Sequence, residues 1–325
     1  MLSLCSILST SSLIHSWFNP LERWRLPGAD TPAAPKQVLV YIPGLDGGNG
    51  SPFVQFPGLG GQFDVRVQDV SFASSANEAS FEAVVDDVAN FLREAQLDSR
   101  GSVVMGESYG GVIAAGVALR HADLVSGLIL VNPATSVSVM PQLQQDIDVM
   151  RFGSVPDALY PLVLFAKVGR KTFDSGFVAT AVNDILIEKK MEKLRETEPG
   201  LAGYYDAALE DFVGQLTSLK EAAFWRGRLA QLVDGCAYVE PRLAQITQPT
   251  LVVAGTADAL LDSEPEAERL ARILPRCDTH LVAGAGHAGT LDQRVDLPSV
   301  VSEWASRSGL RSKVVESSSS GCTGC

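Results

Sequence analysis

The sequence predicts an α/β fold in which a mostly parallel β-sheet carries helices on both faces. Short apolar, β-branched runs such as residues 37–42 and 250–254 are typical of buried strands. Segments such as residues 81–92 lie between them, and their apolar residues recur at helical spacing. Strands that alternate with helices form parallel sheets whose connecting helices cover both faces.

The strand–helix alternation stops at Ala134 and resumes near Thr250. The predicted strands are residues 37–42, 63–70, 102–105, 127–131, 250–254 and 279–283, and helical patterns follow at 81–92, 112–119, 264–274 and 298–306. The intervening stretch of roughly 110 residues is helical in pattern and far too long for a plain loop. We therefore predict a leader or targeting segment at 1–35, a core at 36–133 and 249–310, a helical cap at 134–248 and a disordered tail at 311–325.

Composition excludes several classes of function. The net charge is −12 and no cluster of Lys and Arg forms a basic stripe, which disfavours nucleic-acid binding. No apolar run is long enough to span a membrane, although peripheral membrane contact stays open. The five cysteines form no disulfide framework, and the Cys322/Cys325 pair lacks the second pair that zinc would need, so we expect no metal.

A candidate nucleophile stands between the strand at 102–105 and the helix at 112–119. Residues 106–110 spell Gly-Glu-Ser-Tyr-Gly, the G-x-S-x-G pattern that places a serine, here Ser108, at a sharp strand-to-helix turn. A serine hydroxyl needs a base to take its proton. Of the four histidines, His287 lies in a glycine-flanked loop just beyond a predicted strand, where a parallel sheet gathers its catalytic groups.

The remaining parts of an acyl-transfer site can also be assigned. Asp258 follows the strand at 250–254 and is the predicted acid that orients the histidine, with Asp262 as the runner-up. The oxyanion needs two N–H donors, which we assign to the backbone of Tyr109 and to Leu45 in the glycine-rich loop after the first strand. No cofactor is needed for this chemistry.

With these motifs in this order, the chain resembles the α/β-hydrolase superfamily. The segments 43–47 (Pro-Gly-Leu-Asp-Gly), 63–66, 106–111 and 132–136 (Asn-Pro-Ala-Thr-Ser) also resemble the hydrolase half of plant and algal phytyl ester synthases. That resemblance implies a plastid protein acting on lipid-like acyl groups, although the leader lacks arginine before Arg23 and leaves a cytoplasmic location open. Members of that family continue into an acyltransferase-like domain that these 325 residues do not contain, so hydrolysis is expected before synthesis.

Three functions remain after the sequence analysis. The first is a serine esterase, lipase or thioesterase that cleaves a small-molecule acyl ester or thioester through an acyl-enzyme. The second is an acyltransferase in which phytol or a glycerolipid alcohol outcompetes water. The third is a non-catalytic binding protein that retains the fold. The sequence leaves the oligomeric state and the identity of the ester open.

Overall fold

Seven strands form a single sheet in the computed structural model. The structure describes residues 14–29, 36–50, 52–70, 78–95, 101–135, 141–152, 155–164, 166, 188–217, 220–288, 290 and 295–310. The strands are β1 (Ser16–Phe18), β2 (Val38–Ile42), β3 (Asp64–Asp69), β4 (Ser102–Glu107), β5 (Val125–Val131), β6 (Thr250–Gly255) and β7 (Cys277–Val282). Their order is β1-β3-β2-β4-β5-β6-β7, and every pair except β1 with β3 is parallel. The predicted α/β fold is confirmed.

Helices cover both faces of this sheet. They are α1 (Pro20–Arg23), α2 (Phe56–Gly60), α3 (Phe81–Ala95), α4 (Tyr109–Arg120), α5 (Pro141–Phe152), α6 (Tyr160–Leu164), α7 (Glu188–Thr197), α8 (Pro199–Thr217), α9 (Ala222–Val239), α10 (Ser263–Ile273) and α11 (Leu297–Arg307). Short 3₁₀ turns occupy Ala122–Leu124, Asp157–Leu159 and Glu240–Gln245. No helix in the described part of the chain is long and apolar enough to cross a membrane.

The buried strands explain why the sequence shows continuous apolar runs. Side chains of a strand alternate between the two faces of its sheet. In β2, Leu39 and Tyr41 enter the core that contains Trp304, whereas Val40 and Ile42 enter the core beneath α3 and α4. Both sets are fully buried, so every position of the strand is apolar.

The N-terminal segment differs from the sequence expectation. Residues 14–29 fall within the predicted leader, yet β1 pairs antiparallel with β3 and forms the edge of the sheet. Trp24 is buried in the core, and its indole N–H donates to Asp211 of α8 at 3.1 Å. The signal is weak in the sequence because β1 has three residues and lies before a proline. The first 13 residues and residues 30–35 lie outside the described residues, as does the predicted tail.

The described part of the segment between β5 and β6 is mostly helical and contains no strand. It contains α5 to α9, in the region where the sequence predicts a cap. Its last helix is also part of the main core, because Leu229, Leu232 and Val239 of α9 pack in the same cluster as α4. This contact brings α9 to the edge of the sheet where β2 and β4 end.

The direction in which successive strands are added across the sheet reverses after β3, and this reversal places a crevice at the carboxyl edge of the sheet. From β2 the chain moves outward to β3, then crosses back to β4 and continues through β5, β6 and β7 on the other side. Loops that leave neighbouring parallel strands in opposite directions open a crevice at the carboxyl ends. The loops after β2 and β4 flank this crevice.

Candidate active site

Ser108 sits at a sharp turn between β4 and α4. Its backbone has φ 55° and ψ −119°, a left-handed conformation that is uncommon for a residue with a side chain. Backbone hydrogen bonds hold it there: its N–H donates to Val131 at 2.9 Å, and its carbonyl accepts from Gly111 and Ala134 at 3.0 Å. The strained turn is thus fixed by the end of β5 as well as by its own helix.

The two flanking glycines are required by close backbone contact. A Cβ atom on Gly106 would overlap the carbonyl oxygen of Gly110, and one on Gly110 would overlap the carbonyl oxygen of Ile42. The G-x-S-x-G spacing therefore has a steric cause, because any larger residue would open the turn.

His287 and Asp258 meet Ser108 in one chain of hydrogen bonds. His287 Nε2 lies 3.1 Å from Ser108 Oγ, and His287 Nδ1 lies 2.8 Å from Asp258 Oδ2. The histidine side chain is 8% exposed and the aspartate side chain is fully buried. The structure thus brings together the three residues that the sequence analysis chose as nucleophile, base and acid.

The loop around Asp258 holds this side chain as a carboxylate. Its Oδ1 accepts the backbone N–H groups of Leu260 and Leu261 at 2.8 and 3.1 Å, and its Oδ2 accepts the Ser263 hydroxyl at 2.5 Å. Burial alone would raise the pKa of Asp258, but the charge and hydrogen bond of His287, with those from Ser263 and Leu260, lower it to about 2. Asp258 is therefore an acceptor at any physiological pH.

Electrostatics favour the protonated form of His287. Burial lowers the pKa of His287, but the charge and hydrogen bond of Asp258, reinforced by Glu107 and Asp46, outweigh it and raise the pKa above its ordinary 6.5. An imidazole stabilised in this way is well suited to receive a proton from the adjacent hydroxyl. Asp262, the runner-up acid, instead precedes α10 in a left-handed conformation, and its side chain makes no capping hydrogen bond to that helix.

Asn132 forms hydrogen bonds that connect the end of β6, which precedes Asp258, with the loop that carries His287. It follows β5 with φ 40°, and its side chain is buried. Its Nδ2 donates to the carbonyls of Gly286 and His287 at 3.1 and 2.6 Å, while its Oδ1 accepts the N–H of Gly255 at 2.9 Å. The sequence analysis named Asn132 only as part of the 132–136 segment, because a pattern does not reveal what an amide side chain will contact.

Glu107 forms a second buried support beneath the histidine loop. Its carboxyl accepts the Tyr41 hydroxyl at 2.7 Å and the Thr290 hydroxyl at 2.9 Å. Burial raises the pKa of Glu107 above its ordinary 4.5, although these hydrogen bonds and His287 act in the opposite direction. Glu107 thus links β2 and β4 to the loop that carries His287.

The loop after β2 lies beside Ser108. A Cβ atom on Gly44 would lie 3.5 Å from Ser108 Cβ, which is an ordinary van der Waals distance, so Gly44 and Ser108 are neighbours. This loop carries Leu45, and the helix after the serine begins at Tyr109, the two residues predicted to supply the oxyanion N–H groups. Arg228 of α9 donates to the carbonyls of Gly44 and Leu45, a contact that the sequence analysis did not find.

No metal site accompanies these residues in the described chain. No group of three or more His, Cys, Asp or Glu side chains within the described ranges could hold an ion. The Cys322/Cys325 pair lies outside those ranges.

The fold and this site define a class of protein, and the chain belongs to the alpha/beta hydrolase family, whose profile matches residues 13–297. The match begins before β1, in agreement with the packed N-terminal segment. Membership of this family, together with relatives named for hydrolysis and ester formation, supports a hydrolase or ester-related activity.

Two individual relatives and one solved structure are similar to this chain. The chain is 29% identical over 292 residues to phytyl ester synthase 1, chloroplastic, of Arabidopsis thaliana, an alignment covering 88% of this chain and 38% of that protein. It therefore spans well under half the length of that relative. It is 27% identical over 270 residues to the putative carbamate hydrolase RutD of Serratia proteamaculans (strain 568), covering 80% of this chain and 87% of that one. The solved structure of MenH from S. aureus matches with a TM-score of 0.62 at 14% identity, covering 91% and 98% of the two chains, which shows the shared fold.

Proposed function

We propose that the protein is a serine hydrolase that cleaves a carboxylic ester or thioester through an acyl-enzyme. The observation that carries this proposal is the continuous hydrogen-bonded chain from Ser108 Oγ through His287 to Asp258, at 3.1 and 2.8 Å. A hydroxyl at a strained turn, a buried imidazole and a carboxylate in this order are the parts that acyl transfer requires.

In the acylation half, Ser108 Oγ attacks the carbonyl carbon while its proton passes to His287 Nε2. The carbonyl oxygen becomes an oxyanion, which the N–H groups of Leu45 and Tyr109 stabilise. Asp258, with its pKa of about 2, stays ionised and accepts the Nδ1–H of the resulting imidazolium. His287 then donates its Nε2 proton to the leaving alcohol or thiol, and the acyl group remains on Ser108.

Deacylation repeats these steps with water as the nucleophile. His287 takes a proton from water, the hydroxide adds to the acyl carbonyl, and the collapse of the second tetrahedral intermediate returns the proton to Ser108 Oγ. The acid product leaves with one oxygen from water, and the enzyme is regenerated.

A lipid-like acyl substrate is the class we propose. The relative with 29% identity is named a phytyl ester synthase, and the name also describes it as chloroplastic. On that similarity we propose a long-chain acyl group and a plastid location. The same relative favours a second candidate function, transfer of the acyl group from Ser108 to an alcohol instead of water.

A fluorophosphonate probe tests the serine chemistry directly. We expect the wild-type protein to be labelled and the Ser108→Ala variant not to be, since the probe phosphorylates an activated serine. Ser299→Ala, on α11, serves as the matched control and should label like the wild type. An unlabelled wild type, or labelling that survives Ser108→Ala, would contradict the proposal and favour a binding protein.

The products distinguish the hydrolase from the transferase. The enzyme is incubated with a long-chain acyl ester, with and without phytol, and lipids are separated by mass. Free acid in both reactions identifies a hydrolase, whereas phytyl ester formed at the expense of free acid identifies a transferase.

A further inference from the structure

We infer that Arg228, a buried residue of α9, is a positioning residue that organises and polarises the oxyanion loop. This inference rests on the proposed function, because an oxyanion forms only if Ser108 attacks a carbonyl. Arg228 supplies no atom to the reaction. It acts through the backbone of the residues that do.

Arg228 donates to two consecutive backbone carbonyls, and one of them belongs to the peptide that carries the Leu45 N–H. Its Nη2 donates to the carbonyl of Gly44 at 2.5 Å, and its Nε donates to the carbonyl of Leu45 at 2.7 Å. The carbonyl of Gly44 and the N–H of Leu45 belong to the same planar peptide. Because that peptide is conjugated, a cation bound at the oxygen draws electron density from the nitrogen and strengthens the N–H as a donor.

The same side chain also contacts the second half of the site. The Arg228 guanidinium carbon lies 4.9 Å from the centre of the Tyr109 ring, and Gln231, one turn later on α9, accepts the Tyr109 hydroxyl at 3.2 Å. One helix of the insertion thus touches both residues whose backbone N–H groups we assign to the oxyanion.

The loop geometry requires such a support. The Gly44 carbonyl also accepts the N–H of Gly47 at 3.0 Å, which closes a tight turn with Gly47 at φ 69°. Two donors on one oxygen fix the plane of the peptide, and therefore the direction of the Leu45 N–H. An oxyanion donor is effective when it is aimed before the charge develops, since no reorganisation is then needed.

The environment of Arg228 makes its charge effective. The residue is 3% exposed, and in the described part of the chain no carboxylate forms a salt bridge with it. Burial lowers the pKa of Arg228, while Tyr109 and Asp46 act in the opposite direction. A charge held away from water exerts a stronger field on neighbouring groups than one at the surface.

Substitutions at Arg228 separate this role from a simple packing role. Arg228→Gln removes the charge and leaves one short donor, whereas Arg228→Lys keeps a charge but lacks the two separate nitrogens, Nε and Nη2, that donate to the two carbonyls. Arg226→Gln is the matched control, because Arg226 lies on the same helix and instead pairs with Asp157 at 2.8 Å. Each protein is assayed with a chromogenic acyl ester and with a trifluoromethyl ketone, which forms an oxyanion on Ser108.

We expect Arg228→Gln to lower kcat about tenfold to a hundredfold, less than the loss of a whole oxyanion donor, with KM within about threefold of the wild type. Affinity for the trifluoromethyl ketone should fall in parallel with kcat/KM, and Arg228→Lys should lie between. An unchanged kcat, a change confined to KM, or an equal loss in Arg226→Gln would overturn the inference.

The amide proton of Leu45 gives a readout that does not depend on turnover. In an NMR spectrum of the folded protein, loss of the cation at the Gly44 carbonyl should move this proton upfield in Arg228→Gln, and the shift should be smaller in Arg228→Lys and absent in Arg226→Gln. An unmoved resonance would contradict the polarisation. If the wild type neither cleaves esters nor reacts with fluorophosphonate, the proposed function fails, while the Leu45 shift still decides the role of Arg228 in the loop.

Discussion

The carboxyl edge of the sheet and helix α9 contribute to the same crevice in different ways. The sheet edge supplies Ser108, Asp258 and His287 from three separate loops, all held by backbone hydrogen bonds or by Asn132. Helix α9 supplies no reacting group in the proposed mechanism, but its Arg228 donates to the carbonyls of Gly44 and Leu45 in the loop after β2. In the proposed function the bond-making groups all belong to the sheet edge, whereas the segment between β5 and β6 adjusts how well they work. Changes at the edge should therefore cost far more activity than changes on α9.

The largest effect should follow removal of the base. We expect His287→Ala to lower kcat about 10⁴-fold or more, since the serine then has no acceptor for its proton. Steady-state ester hydrolysis measures the loss. His280→Ala, in β7, is the control and should retain activity near the wild-type level. A His287→Ala enzyme with a tenth of the wild-type rate would show that the edge does not carry the chemistry.

The acid should come next. Asp258→Asn is expected to lower kcat roughly 10³- to 10⁴-fold, because an amide cannot stabilise the imidazolium or fix its tautomer. Asp262→Asn provides a close control: asparagine also tolerates the left-handed conformation at that position, so activity should stay within about twofold. A reversed pattern, with Asp262 the sensitive position, would exchange the two assignments.

A smaller loss of activity should follow a change at Asn132, which connects the end of β6 with the loop that carries His287. Asn132→Asp keeps an oxygen for the Gly255 N–H but loses the donor to the carbonyls of Gly286 and His287. We expect kcat to fall about tenfold to a hundredfold through displacement of His287, with labelling by a fluorophosphonate slowed in proportion. If kcat is unchanged while the protein stays folded, the bond to the His287 carbonyl does not position the base.

The smallest expected effect is a shift in the pH dependence of kcat/KM. The base form of His287 is required, so kcat/KM should rise with pH through a midpoint above 6.5, the direction in which its pKa is shifted. Glu107→Gln removes a negative charge that raises this pKa, so the midpoint should move to lower pH while the rate on the high-pH plateau stays within about threefold. A pH–rate profile of both proteins measures the shift. An unmoved midpoint, or one displaced upward, would show that Glu107 carries no charge that acts on His287.

The strands that leave a clear apolar pattern in the sequence were predictable. The strands β2, β4, β5 and β6 are buried almost throughout and leave largely apolar runs, whereas β3 alternates between buried and half-buried positions. The prediction of an α/β sheet from these patterns is confirmed. The strand β1 was not predictable, because its three residues are exposed or half-buried and their pairing depends on a partner some fifty positions away.

The residues of the candidate site also differ in whether a local sequence pattern reveals them. Ser108 and His287 could be chosen because glycines surround them at a strand end, a local feature of the chain. Asn132, Glu107 and Arg228 could not, since their importance comes from partners distant in sequence, and one arginine in a helix resembles another. Arg226 and Arg228 differ in the sequence by two positions, yet one faces Asp157 and the other faces the oxyanion loop.

The residue that carries the acyl group during turnover identifies the nucleophile, which we propose is Ser108. A stopped reaction with a slowly hydrolysed acyl ester is digested with trypsin, and the peptides are analysed by mass spectrometry. The acyl group should be found on Ser108 within the peptide covering residues 101–120, and it should be lost in Ser108→Ala together with turnover. Turnover without an acyl adduct, or an adduct on any residue other than Ser108, would contradict acyl transfer through Ser108.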